Sequence, residues 1–214
     1  MSLAALEALA ARERLFVSGL VPVTAADGLP AGLATLALLS PDEPGFWPHL
    51  QAAAEFSDGA PDPLDRWSAR VIGGLAQALG GLAVFPFGGP PWQPFHDWAL
   101  RSGRAWGSPV GLLVHERMGL WASFRGAVAL PEGVAAPPRP SPCGACDAPC
   151  LRACPVGALS ATAYDVPACH AHLDRPGGES CLTGGCLVRH SCPQSGTYGR
   201  LPGQSAWHMR QFHK

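Results

Sequence analysis

Eight cysteines lie in the last third of the chain, at Cys143, Cys146, Cys150, Cys154, Cys169, Cys181, Cys186 and Cys192. Cys154 and Cys192 are each followed by proline. Thiolates are soft ligands that suit zinc, copper(I) and iron–sulfur clusters. Eight of them, in two groups each ending in Cys-Pro, are the ligand count for two [4Fe–4S] clusters. In two-cluster ferredoxins three neighbouring cysteines bind one cluster, and the cysteine before proline binds the other. By that rule Cys143, Cys146 and Cys150 share a cluster with Cys192. Cys169, Cys181 and Cys186 share the second with Cys154. The chemistry such a set performs is electron transfer.

The spacing departs from the bacterial run C-x₂-C-x₂-C-x₃-C-P. Residues 143–155 read C-x₂-C-x₃-C-x₃-C-P, and the second group, Cys181-x₄-Cys186-x₅-Cys192-Pro193, is looser. Cys169 stands apart in Asp165-Val-Pro-Ala-Cys169, which reads as a helix start with Asp165 as N-cap and Pro167 in the first turn. Three other uses of cysteine are weighed. Disulfides need an oxidising compartment, and the N-terminus shows no secretory signal peptide. Structural zinc in two Cys₄ sites stays open, because Cys143-x₂-Cys146 is a zinc-like pair. Haem attachment needs C-x-x-C-H, which does not occur.

The elements that must position these residues form an α/β (α+β) domain over 1–130, a linker over 131–142 and a cluster module over 143–214. The sequence predicts a helix over 3–18, a strand over 33–39, a loop over 41–48 and a helix over 63–79 capped by Asp62. It further predicts a strand over 82–87, a short helix over 94–102 and strands over 110–115 and 120–130 paired across a turn at 117–119. A last helix is expected over 206–212. The linker holds five prolines in twelve residues and is incompatible with regular structure.

With 47% hydrophobic residues, the 214-residue chain can build a true core. Its net charge is −1, so no global field points to nucleic acid or membrane. Residues 1–138 carry net −4 and residues 139–214 net +3. A basic shell around anionic clusters accounts for the second figure. No apolar run reaches the ~18 residues of a membrane helix, and a cytoplasmic protein is expected. No dinucleotide fingerprint, P-loop or nucleophile elbow occurs.

The run Gly111-Leu-Leu-Val-His-Glu-Arg-Met-Gly-Leu-Trp-Ala-Ser-Phe124, the proline-rich link, Cys143-Gly-Ala-Cys146 and Cys154-Pro-Val-Gly-Ala-Leu159 resemble the epoxyqueuosine reductase family. The resemblance implies a nitroreductase-like, cobalamin-binding domain joined to a double [4Fe–4S] module. It also implies a ligand of the second cluster at Cys169. That family carries a carboxylate proposed as proton donor, whereas Phe85–Trp92 here holds none. The chain reads as a shortened relative without the basic surface for tRNA.

Individual residues have a structural reading beside the functional one. Arg125, in an apolar strand, is an outward residue or an anchor for an anionic group of a cofactor. His96 and Asp97 line a pocket or cap a short helix. His115, Glu116 and Arg117 belong to a turn. Trp92, Phe95, Trp98, Trp106 and Trp121 fill a core or line a cofactor pocket. His170, His172 and His190 flank cysteines and can tune a cluster through hydrogen bonds to sulfur. Three functions remain: the first is an iron–sulfur reductase with a small-molecule substrate or corrinoid, and the second a non-catalytic ferredoxin-like carrier that docks to a redox partner protein. A structural zinc protein is the third.

Overall fold

The computed structural model describes residues 3–214. In chain order the elements are α1 (Leu3–Arg12), β1 (Leu15–Pro22), β2 (Thr35–Pro41), α2 (Phe46–Gln51), α3 (Pro63–Ala78), β3 (Leu82–Val84), α4 (Phe95–Arg101), β4 (Ala105–Gly107), β5 (Leu113–His115), β6 (Gly126–Leu130), α5 (Val166–Leu173), α6 (Glu179–Gly184), α7 (Leu187–Ser191) and α8 (Pro202–Phe212). The chain is a mixed α/β protein. Its contacts divide it into two compact units, one of residues up to Arg104 with Ser123–Arg139, the other of Ala105–Ala122 with Pro140–Lys214. Among the described residues no helix is long and apolar enough to cross a membrane.

The first unit is built on a four-stranded antiparallel sheet in the order β1-β2-β6-β3. Every residue of β2 and β6 is buried, and both read as mostly apolar rather than alternating. α3 packs on β3 and β6 through Leu64, Trp67, Val71, Ile72 and Leu75, spaced three and four apart on one face. Trp67 and Ile72 are almost wholly buried, and each such side chain contributes about 1.5–3 kcal/mol.

Several expected boundaries move. The helix predicted over 3–18 ends at Arg12, Arg14 turns into the left-handed region (φ 53°), and Leu15–Pro22 is a strand. Its Phe16, Val17 and Val21 favour strand, and β2 supplies the hydrogen-bonded neighbour. Asp62 makes no side-chain cap on α3; at φ 51° only its carbonyl serves, accepting from Arg66 N at 3.0 Å. α2 begins inside the expected 41–48 loop, and α8 starts four residues before the expected position. The predicted pairing of 110–115 with 120–130 is not formed. β5 pairs with β4, and β6 joins the first unit's sheet between β2 and β3. Residues 105–122, assigned above to the N-terminal domain, therefore group with the cysteines. Residues 131–139 run along the first unit, tied by Val134 N donating to Thr35 Oγ1 at 2.9 Å and Arg139 N to Gly103 O at 3.2 Å.

One polar cluster holds the first unit's β1–α4 contact. Asp27 accepts from Trp98 Nε1 at 2.7 Å and from Arg101 Nη1 and Nη2 at 2.6 and 3.1 Å. Thr24 adds its backbone N–H at 2.7 Å. The Arg101 guanidinium holds the Asp27 carboxyl well below the usual carboxylate range. A depressed carboxylate contributes stability that is present above its unfolded pKa, about 3.9, and is lost as pH falls through the folded value. Asp27→Asn, which leaves a partly buried arginine without its buried carboxylate partner, should cost about 3 kcal/mol at pH 7 in urea unfolding. The gap between variant and wild type should narrow below about pH 4; a gap unchanged at pH 3 would remove the ion pair from the account.

Candidate metal centre

The cysteines of the second unit are carried by short turns and helices. Cys143 and Cys146 belong to a turn closed by Cys146 N donating to Cys143 O at 3.3 Å. Cys150 lies in the 3₁₀ turn Pro149–Arg152, and Cys154 follows it. Cys169 is on α5, whose N-cap is Asp165, accepting from Ala168 N at 2.9 Å as predicted. Cys181 is on α6. Cys186 starts α7 and Cys192 ends it.

These positions bring the thiols into two quartets. Cys143, Cys146, Cys150 and Cys192 line one cleft, with Val114 and Leu120 among its walls. Burial pushes the thiols of Cys143 and Cys150 up, and nearby Cys146 and Cys192 push them further. Burial likewise raises Cys169 and Cys181, and the sulfurs acting on them are Cys154 and Cys186. Each quartet thus takes members from both sequence groups. The turn at 149–152 and α7 pack together; Cys150 in the turn and Cys154 after it fall in different quartets, as do Cys186 and Cys192 at the two ends of α7.

The surroundings suit thiolate-held metal. Val110, Val114, Leu120, Leu159 and Val188 form an apolar core with Cys150, and Cys143, Cys154, Cys186 and Cys192 pack against it. Sulfurs also receive donors. Ala158 N donates to Cys154 Sγ at 3.2 Å and Tyr164 Oη to Cys169 Sγ at 3.8 Å. Such bonds favour charge on sulfur and are among the levers that set a cluster's potential. Gln204, fully buried on α8 against α6, has neither amide atom hydrogen-bonded among the described residues.

Among the described residues no group of three or more His, Cys, Asp or Glu side chains is arranged to hold a metal ion. A single zinc ion draws sulfurs onto bonds of about 2.3 Å.

The other predicted residues fall elsewhere. Arg125 Nη1 stands 4.0 Å from Asp65 Oδ1 in the first unit. His96 and Asp97 are exposed, Asp97 accepting from Arg101 at 3.3 Å. His115 is buried, its Nδ1 accepting from Arg117 N at 3.0 Å to close the turn. Phe95, Trp98 and Trp121 are core, Trp106 is half-buried, and Trp92 is exposed. His170 meets His213 at 2.6 Å and His190 meets Gly184 O at 2.9 Å, so these two bond away from the sulfurs. His172 Nε2 is buried with no hydrogen-bond partner among the described residues. Gly185 is pressed by Ser205 and Trp121: an added Cβ would lie 2.7 and 3.0 Å from them.

Sequence reasoning missed Tyr164 and Gln204, and neither carried a readable signal. No family model matches the chain, and no curated protein or solved structure is significantly similar to it.

Proposed function

We propose that this chain is an iron–sulfur electron-transfer protein. Cys143, Cys146, Cys150 and Cys192 would hold one [4Fe–4S] cluster, and Cys154, Cys169, Cys181 and Cys186 the other, in a ferredoxin-type module. The observation that carries this reading is the sorting of eight thiols into two mixed quartets, one of them lining a cleft. When bound, such clusters supply one-electron transfer at a potential set by their shell.

The chain's own residues prepare the sites. Apolar side chains pack around Cys143, Cys150, Cys154, Cys186 and Cys192, and an N–H and an O–H are aimed at the sulfurs of Cys154 and Cys169. Because burial holds Cys143, Cys150, Cys169 and Cys181 protonated beyond the ordinary range, loading must release protons. Loading should therefore be favoured as pH rises.

The resemblance to epoxyqueuosine reductases adds a nitroreductase-like first unit that binds a corrinoid and a small-molecule substrate. The carrier reading has that unit dock a redox partner instead. Anaerobic purification with iron and acid-labile sulfide counts, and spectra with and without cobalamin, tests both. About eight irons per chain with sulfide and a broad band near about 400 nm are expected. A shift of the corrinoid bands supports the reductase, and unshifted bands the carrier. Zinc without sulfide overturns the electron-transfer reading and leaves a structural metal protein.

A further inference from the structure

Residues 158–165 fold into a tight antiparallel loop. Leu159 and Tyr164 pair across it as a bridge. Asp165 N donates to Ala158 O at 2.7 Å, and Ser160 N to Ala163 O at 3.0 Å. Each arm of the loop carries a donor to a thiol. Ala158 N donates to Cys154 Sγ at 3.2 Å, and Tyr164 Oη to Cys169 Sγ at 3.8 Å. Both thiols belong to the second quartet, so one short loop serves two of its four sulfurs.

The Tyr164 ring is held from the far side. It stacks on Phe212 of α8, with ring centroids 6.3 Å apart and planes 14° from parallel. Phe212 also packs on His170, at 4.6 Å. His170 Nδ1 meets His213 Nδ1 at 2.6 Å, and His213 Nε2 meets Asp174 Oδ1 at 3.0 Å. The end of α8 is thus fastened to α5, the helix that carries Cys169. A neutral thiol is a weak acceptor, and water competes for the hydroxyl of a tyrosine that is 46% exposed. The bond strengthens once the sulfur is an ionised metal ligand.

We propose that the Tyr164 hydroxyl, held by the Phe212 stack, raises the reduction potential of the second centre through Cys169. This rests on the iron–sulfur reading. Reduction adds one negative charge to the centre and its sulfurs. A donor on a ligand sulfur therefore stabilises the reduced form more than the oxidised one. Tyr164 is a positioning residue: it acts through Cys169 and holds no metal itself. The donor on Cys154 is backbone and survives any substitution at 164, so the hydroxyl can be removed alone.

The test is an anaerobic potentiometric titration of the whole protein, with dithionite supplying the electron and paramagnetic resonance following the reduced centres. Iron and sulfide are counted on the same samples. Tyr164→Phe removes the hydroxyl and keeps the ring on Phe212. It should load wild-type iron and shift the second centre against its reduced form by about fivefold, which is ~40 mV lower for one electron. The shift should recur in the Cys143→Ala/Cys192→Ala background, which leaves the second quartet intact, and be absent from Cys154→Ala/Cys181→Ala, which leaves the first. Phe212→Ala frees the ring and should move the same centre the same way, whereas Phe212→Trp, which keeps a stacking ring, should stay close to wild type. Combining Tyr164→Phe with Phe212→Ala should add nothing, because the hydroxyl is already gone. A fully loaded Tyr164→Phe at the wild-type potential overturns the proposal. So does loss of the second quartet's iron in Tyr164→Phe, which makes the hydroxyl a structural prop, and so do additive shifts in the double variant, which give the stack another route. Wild-type protein without sulfide instead sinks the cluster reading, before any variant is made.

Discussion

The double variant Cys143→Ala/Cys192→Ala should keep about half of the iron, roughly four of about eight atoms per chain. The two cysteines are 49 positions apart, yet they line one cleft. If they serve the same cluster, removing both destroys one site only. If each sequence group instead bound its own cluster, the pair would strike both, and essentially all the iron would be lost. Cys154→Ala/Cys181→Ala should likewise keep about half, because Cys181 is influenced by Cys154 and not by the first quartet. The complementary pair Cys143→Ala/Cys154→Ala joins neighbours in sequence and should empty both sites. Alanine is chosen because it offers no ligand atom. Equal iron in all three double variants would refute the crossed assignment.

The Cys-Pro rule proposes the grouping from order alone, without any knowledge of the fold, and the double variants test it. Local signals were readable from order alone as well. The Asp165 cap is settled within three residues, and the apolar face of α3 repeats at helical spacing. What was not readable depends on distant partners. Leu15–Pro22 becomes a strand because β2, some twenty residues on, pairs with it. Likewise Leu113–His115 and Gly126–Leu130 look like one hairpin, since both are apolar and a turn lies between them. Each has another partner, β4 for the first and β2 with β3 for the second. That reassignment carried residues 105–122 into the cysteine unit, where Val114 and Leu120 wall the cleft. Tyr164 acquires meaning only once the helices are packed. Asp27 is of the same kind: its partners Trp98 and Arg101 lie more than seventy residues away.

Gly119→Ala should empty the first quartet without touching a cysteine. Gly119 has φ 56°, a conformation that costs a residue with a Cβ about 1–2 kcal/mol. Its added Cβ would lie 2.3 Å from Ser195 N and 2.5 Å from Ser195 Oγ. Backbone cannot tolerate that approach, so the segment after Cys192 must move, at a further cost of about 1–3 kcal/mol. Ser195 is a joint between two parts of the cleft. Its N–H donates to Cys192 O at 2.9 Å, and its Oγ accepts from Leu120 N at 2.9 Å. Displacing it therefore displaces the ligand Cys192 and the wall Leu120 together. About half of the iron should be lost, with the second quartet's share retained. Gly111→Ala separates strain from collision, because Gly111 also has positive φ (74°) but an added Cβ there meets nothing within 4 Å. That variant should lose only the backbone term in thermal unfolding and keep its full iron. If Gly119→Ala and Gly111→Ala load the same iron and unfold alike, Ser195 does not hold Cys192 in place, and the ligand owes its position to α7 alone.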